Sequence, residues 1–68
     1  MRLPVRMTAA EFYDEYTIGD VCEILQAGDP VRVRVKGAYL LAGRVIIGDS
    51  HGRSFRLDFT DAVTLIAR

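Results

Sequence analysis

The run Val31-Arg-Val-Arg-Val-Lys36 alternates apolar and charged residues without a break. Side chains of a strand point alternately to opposite faces, whereas a helix would spread these valines around its circumference. The run therefore reads as a half-buried strand. Val31, Val33 and Val35 are expected to face a core, and Arg32, Arg34 and Lys36 to line the other face. Arg53-Ser-Phe-Arg-Leu-Asp-Phe59 alternates in the same way, with Phe55, Leu57 and Phe59 expected inward. Strands need partners, so the rest of a 68-residue chain must complete a sheet around them. A single domain over 1–68 is expected, one that buries only about 60% of its unfolded surface. Cys22 is the only cysteine, so no internal disulfide supports the fold. Half of the residues are apolar, and stability has to come from packing them together.

Residues 8–28 read as a helical segment. Thr8 is an N-cap candidate with Glu11 three residues on, the pattern of a capping box. Ala9, Phe12, Tyr13 and Tyr16 recur at helical spacing, and Ile18, Val21, Cys22 and Leu25 do the same. The two sets point to opposite sides of one helical wheel. Two short helices are therefore expected, about 9–16 and 18–26, broken near Gly19 and stopped by Gly28. After the strand at 31–36, Gly37-Ala38 is expected to turn the chain. A second strand follows over 39–47, with Gly43 as a bend. Residues 48–52 form a loop and 62–67 a closing strand. A helical start before four or five short antiparallel strands predicts a mainly β fold, a small SH3/Sm-like barrel over 31–67. Closure would protect the sheet edges.

The net charge is zero, yet the signs are segregated along the chain. Residues 8–30 hold six acids and no Lys or Arg, whereas 31–68 hold seven bases against three acids. This excludes a globally basic nucleic-acid binder and leaves local patches. The first candidate surface is acidic and protein-binding: Glu11, Phe12, Asp14, Glu15, Tyr16, Asp20 and Glu23. Acids beside aromatic rings imitate phosphates beside bases. The second is the basic strand face of Arg32, Arg34 and Lys36, spaced about 7 Å apart in succession. That spacing approaches a single-strand phosphate repeat. Tyr39 offers a stacking ring, and Arg44 and Arg56 extend the patch. Each surface has a purely structural alternative. Acidic helix and basic sheet would partly neutralise each other, and strand-face charges would blunt aggregation. Any apolar helix face left over would join copies of the chain into a homo-oligomer.

Chemistry at a catalytic centre is not expected. His51 lies with Asp49 and Ser50 in a five-residue loop too short to align a nucleophilic relay. Cys22 sits on an apolar face, as a buried thiol does. The carboxylate pairs Asp14-Glu15 and Asp58/Asp61 lack an apolar pocket to shift their titration. No ligand cluster suggests a metal, and no motif suggests a cofactor. No apolar run approaches the roughly 20 residues of a membrane span. The stretch Met1-Arg-Leu-Pro-Val-Arg-Met7 is too short and too charged for a signal peptide, so the cytoplasm is the expected compartment. Residues 16–25 are similar to the first helix of a MerR-type helix-turn-helix. Asp29-Pro30 and a strand follow where the recognition helix would stand.

Val35-Lys36, Leu41-x-Gly43-x-Val45 and Asp49 together resemble the first signature of Sm-like proteins. Asp61-Ala-Val63-Thr-Leu65-Ile66 resembles the end of their second signature. The resemblance covers about residues 20–67 and implies an N-terminal helix before a small barrel. Ser50-His-Gly-Arg53 stands where that family places its RNA-contacting Asn, and Phe59-Thr60 replaces its Arg-Gly. A narrower resemblance is to the Rof-like Rho-binding antiterminators. It rests on Glu23-Ile24, Gly28, the strand at 31–35 and Arg53-Ser-Phe-Arg-Leu-Asp58. It implies a non-enzymatic module that inhibits a nucleic-acid-processing helicase by protein contact. Direct single-stranded RNA or DNA binding is the alternative expectation.

Overall fold

A computed structural model describes residues 2–68. In chain order the elements are β1 (Val5–Thr8), α1 (Ala9–Glu15), β2 (Val21–Gln26), β3 (Asp29–Leu41), β4 (Arg44–Asp49), β5 (Ser54–Asp58) and β6 (Ala62–Ala67). The fold is mainly β. Among the described residues six antiparallel strands form one sheet in the order β1-β6-β2-β3-β4-β5. Among the described residues no ladder joins β5 back to β1, so the sheet stays open at those two edges.

The first helix follows its local signals. The Thr8 hydroxyl accepts the Glu11 N–H at 3.2 Å, while the Thr8 N–H donates to Glu11 Oε1 at 2.9 Å. Two N-terminal donors are thus satisfied reciprocally. Ala9 and Phe12 are buried, three residues apart on one helical face. Tyr16 ends the helix in extended backbone.

The second helix expected at 18–26 is a strand. Cys22 and Ile24 are buried and alternate with partly exposed neighbours. Over six residues the same apolar set satisfies both periods, and the adjoining turn breaks the tie. Ala27 and Gly28 have φ of 52° and 83°, and Gln26 pairs with Asp29. This is a two-residue hairpin loop with positive φ at both positions, which suits the right-handed twist of the flanking strands. Gly28 is a turn residue and stops no helix.

The second turn also lies elsewhere than expected. β3 runs through Gly37-Ala38 for 13 residues, and the chain reverses at Ala42-Gly43, with φ of 52° and 76°. Leu41 then pairs with Arg44, so Gly43 is a hairpin glycine rather than a bend within a strand. Within β3 the register shifts: Val35 pairs with Asp49, and Gly37 with Gly48. Two steps on β3 oppose one on β4, which makes Lys36 the extra residue of a bulge. Residues 29–34 pair with β2, and the half beyond the bulge pairs with β4. β1 pairs with β6 and brings the count to six strands, against the four or five expected.

The buried cluster draws on almost every element in pairs. Ala9 and Phe12 come from α1, Cys22 and Ile24 from β2, and Val33 and Val35 from β3. Val45 and Ile47, Phe55 and Leu57, and Val63 and Leu65 come from the last three strands. Both halves of the sheet therefore bury the same core, so the sheet curls. The helix N-terminus is tied to the β5–β6 turn by Ala9 N–H to Asp61 O at 2.8 Å and Ala10 N–H to Phe59 O at 3.1 Å. Phe59, expected inward, lies beyond the end of β5 and is exposed. Val31 is only half-buried.

Alanine is a poor residue for the left-handed region, which costs L-residues about 1–2 kcal/mol. Asn tolerates it better. Ala42→Asn and Ala27→Asn should each raise stability by roughly 0.5–1 kcal/mol, read as the shift in urea midpoint at unchanged slope. A loss of stability in both would contradict the hairpin assignment.

Candidate nucleic-acid interface

Alternation in β3 sends Val33 and Val35 inward and leaves Arg32, Arg34 and Lys36 exposed, as the sequence predicts. The bulge then shifts the parity of β3. Tyr39 therefore joins the outer face, opposite Ile46, which in turn pairs with Arg56. Tyr39 is 52% exposed, and Arg56 is exposed. Ile46 is buried yet stands apart from the core cluster, on the outer face between these two long side chains. Arg44 pairs with Asp58 across β4 and β5, and their side chains meet at 3.3 Å. Exposed pairs of this kind contribute little. Among the described residues, Arg32, Arg34, Lys36 and Arg56 have no ion-pair partner. The six basic-face candidates thus share one side of the sheet.

The bulge also opens a groove. Its volume is about 330 Å³, and Tyr16, Lys36, Gly37, Ala38, Tyr39 and Gly48 line it. Tyr16 fixes one wall. Its hydroxyl donates to the Ala38 carbonyl at 3.2 Å and accepts the Ala38 N–H at 3.1 Å. The β2 side of β3 is bonded further back by Gly19 N–H to Val35 O and Val35 N–H to Asp20 O, both 2.8 Å. Tyr16 therefore satisfies the next backbone pair after the β2 segment has turned away. Its ring stacks on Phe12 at 5.8 Å between centroids. A smaller concavity of about 170 Å³ lies on the other half of the sheet, where Arg6 and Glu23 mix both signs.

The acidic surface does not assemble. Phe12 is fully buried, so it packs the core and cannot dock a partner. Asp20 is 1% exposed. It accepts the Thr17 N–H at 2.9 Å and lies 3.5 Å from Arg68 Nε. Glu11 is engaged in the capping box, and Tyr16 in the groove wall. Glu23 sits on β2, paired with Arg32 on one side and Thr64 on the other, within the basic half of the molecule. Glu15 approaches Arg68 at 3.8 Å, and Asp14 is exposed. Only Asp14 and Glu15 remain of a contiguous acidic face.

Several residues escaped the sequence reading. Arg6 is exposed on β1, opposite Thr64, and no local signal announced that strand. Gly37 and Gly48 face each other in the groove, a consequence of register beyond the bulge. Arg53 and Asp49 organise the 49–53 loop. Asp49 Oδ1 accepts the N–H groups of His51 at 2.9 Å and Arg53 at 2.7 Å, and Oδ2 accepts Arg53 Nε at 2.6 Å. Burial pushes this carboxyl up, but the Arg53 and His51 donors together with the Arg53 charge outweigh it. They hold Asp49 below its usual 3.8. A carboxyl depressed by folding stabilises above its unfolded pKa, and that contribution is lost as pH falls through the folded value. Stability should therefore decline as the pH drops below about 3.8, and urea titrations should show a shallower decline for Asp49→Asn. Equal declines in both proteins would remove the Asp49 contribution.

Cys22 is buried, and burial followed by the charge of Asp20 pushes its thiol up to about 12. It stays protonated near neutrality and is a poor nucleophile. Among the described residues no group of His, Cys, Asp and Glu is placed to hold a metal ion. Among them, too, no helix is long and apolar enough to cross a membrane. Compared with known proteins, the chain matches no family model, no curated protein and no solved structure.

Proposed function

We propose that this chain is a small non-enzymatic binding module whose basic outer face holds single-stranded RNA or DNA. The observation that carries this is the row Arg32, Arg34 and Lys36, exposed and without ion pairs among the described residues, leading to the exposed ring of Tyr39. Unpaired cations at strand spacing meet successive phosphates, and an exposed aromatic ring stacks a base without regard to sequence. Zero net charge leaves a local patch, rather than the whole surface, to attract phosphates. We also read the curled sheet as an SH3/Sm-like barrel. That reading is supported by the order β6-β2-β3-β4-β5, by a long β3 shared between the two halves, and by a common core.

A second reading keeps the likeness to Rho-binding antiterminators, with a protein as partner. Asp14 and Glu15 favour it. They stand in the last turn of α1, where negative charge opposes the helix dipole and no basic residue compensates within the helix. Arg68 offsets this at Glu15, 3.8 Å from its carboxylate and donating to its carbonyl at 3.1 Å, which leaves Asp14 as the exposed acid that fits a contact role.

Fluorescence anisotropy with a labelled single strand separates these readings. Three or four neutralised phosphates predict a slope of log K against log salt of about −2 to −3. Weaker binding to a duplex of equal length is expected. No salt-dependent binding at low ionic strength would refute the nucleic-acid reading and leave the protein partner.

A further inference from the structure

Gly37 and Gly48 face each other across the β3–β4 ladder. Glycine weakens a strand, because it loses the most chain entropy and packs no side chain. The backbone does not require either one. Unlike Gly19, Gly28, Gly43 and Gly52, neither adopts positive φ. Packing does not require them either. A Cβ on Gly37 would meet nothing within 4 Å, and a Cβ on Gly48 would meet only the Gly37 carbonyl oxygen at 3.8 Å. What the two glycines leave is a bare strip of backbone, and such strips mark places where a ligand comes close.

The surroundings say what that ligand is. Tyr39 and Tyr16 wall the strip, and among the described lining residues Lys36 alone is charged. The Tyr16 hydroxyl is committed to Ala38, so that wall is held in place. A flat floor, aromatic sides and a single cation fit a planar ring that carries an anion. The volume of about 330 Å³ lies at the lower end for ligand sites and suits one such ring. We infer that this groove seats one nucleobase of a single strand, flat on the Gly37–Gly48 floor beside Tyr39, with its phosphate at Lys36. The inference rests on the single-strand reading of the basic face. Arg34 lies two residues back on the same face, about 7 Å away along the strand, and takes the adjoining phosphate.

Gly48→Val tests it directly. The valine fills the floor, suits a strand and has room for its Cβ, so the melting temperature should equal or exceed that of the wild type. Binding is measured to an oligothymidylate and to an abasic strand of equal length. The wild type should prefer the intact strand by about ten-fold. Gly48→Val should bind both strands equally, at the abasic level and with an unchanged salt slope. Gly37→Thr probes the same floor from the facing strand and should behave alike, which covers the case of a Gly48 variant that does not fold. A folded floor variant that keeps the ten-fold preference overturns the base slot. Equal, salt-dependent binding of both strands by the wild type overturns the slot alone. Binding of neither strand by the wild type overturns the basic-face reading and the slot with it.

Discussion

Phe12→Ala should lower the melting midpoint by about 12 °C or more. Phe12 belongs to the core cluster and is the largest of the fully buried side chains. Truncating a buried Phe costs about 3–5 kcal/mol, counting both lost transfer energy and the residual cavity. A domain of this length has roughly 3–10 kcal/mol in total. The loss therefore takes from about a third to all of the available stability, and each kcal/mol shifts the midpoint by about 4–8 °C in so small a domain. The cavity would also sit under Tyr16, whose ring stacks on Phe12 and whose hydroxyl holds Ala38. The groove should loosen before the sheet does. Thermal melts followed by circular dichroism, with Tyr16 exchange broadening read by NMR, check both statements. A variant with native melting behaviour would place Phe12 outside the core and return it to a contact surface.

How far the sequence could be read depended on the range of the signals. The capping box at Thr8 and Glu11 and the alternation at 31–36 and 53–58 are local, and the structure keeps them. β2 is ambiguous in sequence, because Ile18, Val21, Cys22 and Leu25 satisfy helical spacing while Cys22 and Ile24 also satisfy a strand. The deciding facts were Ala-Gly hairpins at 27–28 and 42–43. Alanine favours helices, and its positive φ is invisible in a sequence. β1 is set by pairing Val5 with Leu65, a contact across nearly the whole chain. The basic face was legible because alternation alone fixes sidedness. The acidic face was not, because segregation of charge along the chain is not segregation in space. Once 21–26 became a strand, Glu23 moved between Arg32 and Thr64, and burial removed Phe12 and Asp20. The glycine floor depends on the bulge at Lys36, a register property that no single segment encodes.

Arg34→Glu with Lys36→Glu should abolish most single-strand binding while leaving the fold intact. These two positions are chosen over Arg32, which pairs with Glu23, where reversal would set two glutamates directly opposite each other. Arg34 pairs with Val21, and Lys36 is the extra residue of the bulge, so neither reversal creates a like-charge pair across the ladder. Both side chains are exposed, and surface changes of this kind stay within about 0.5 kcal/mol each. Two attractions to phosphate become two repulsions, and the affinity at low salt should fall about a hundred-fold or more. The salt slope should become less negative by about 1.4, since each phosphate contact on a single strand carries about 0.7. The gap between variant and wild type should narrow as salt rises, because the Debye length shrinks from about 10 Å at 0.1 M to about 3 Å at 1 M. Arg34→Gln with Lys36→Gln should fall between the two, which separates lost attraction from added repulsion. Anisotropy titrations at several salt concentrations, on proteins with matched melting curves, read all of these quantities. Unchanged affinity in the folded double reversal would move the single-strand surface off this face altogether, to other basic residues of the chain.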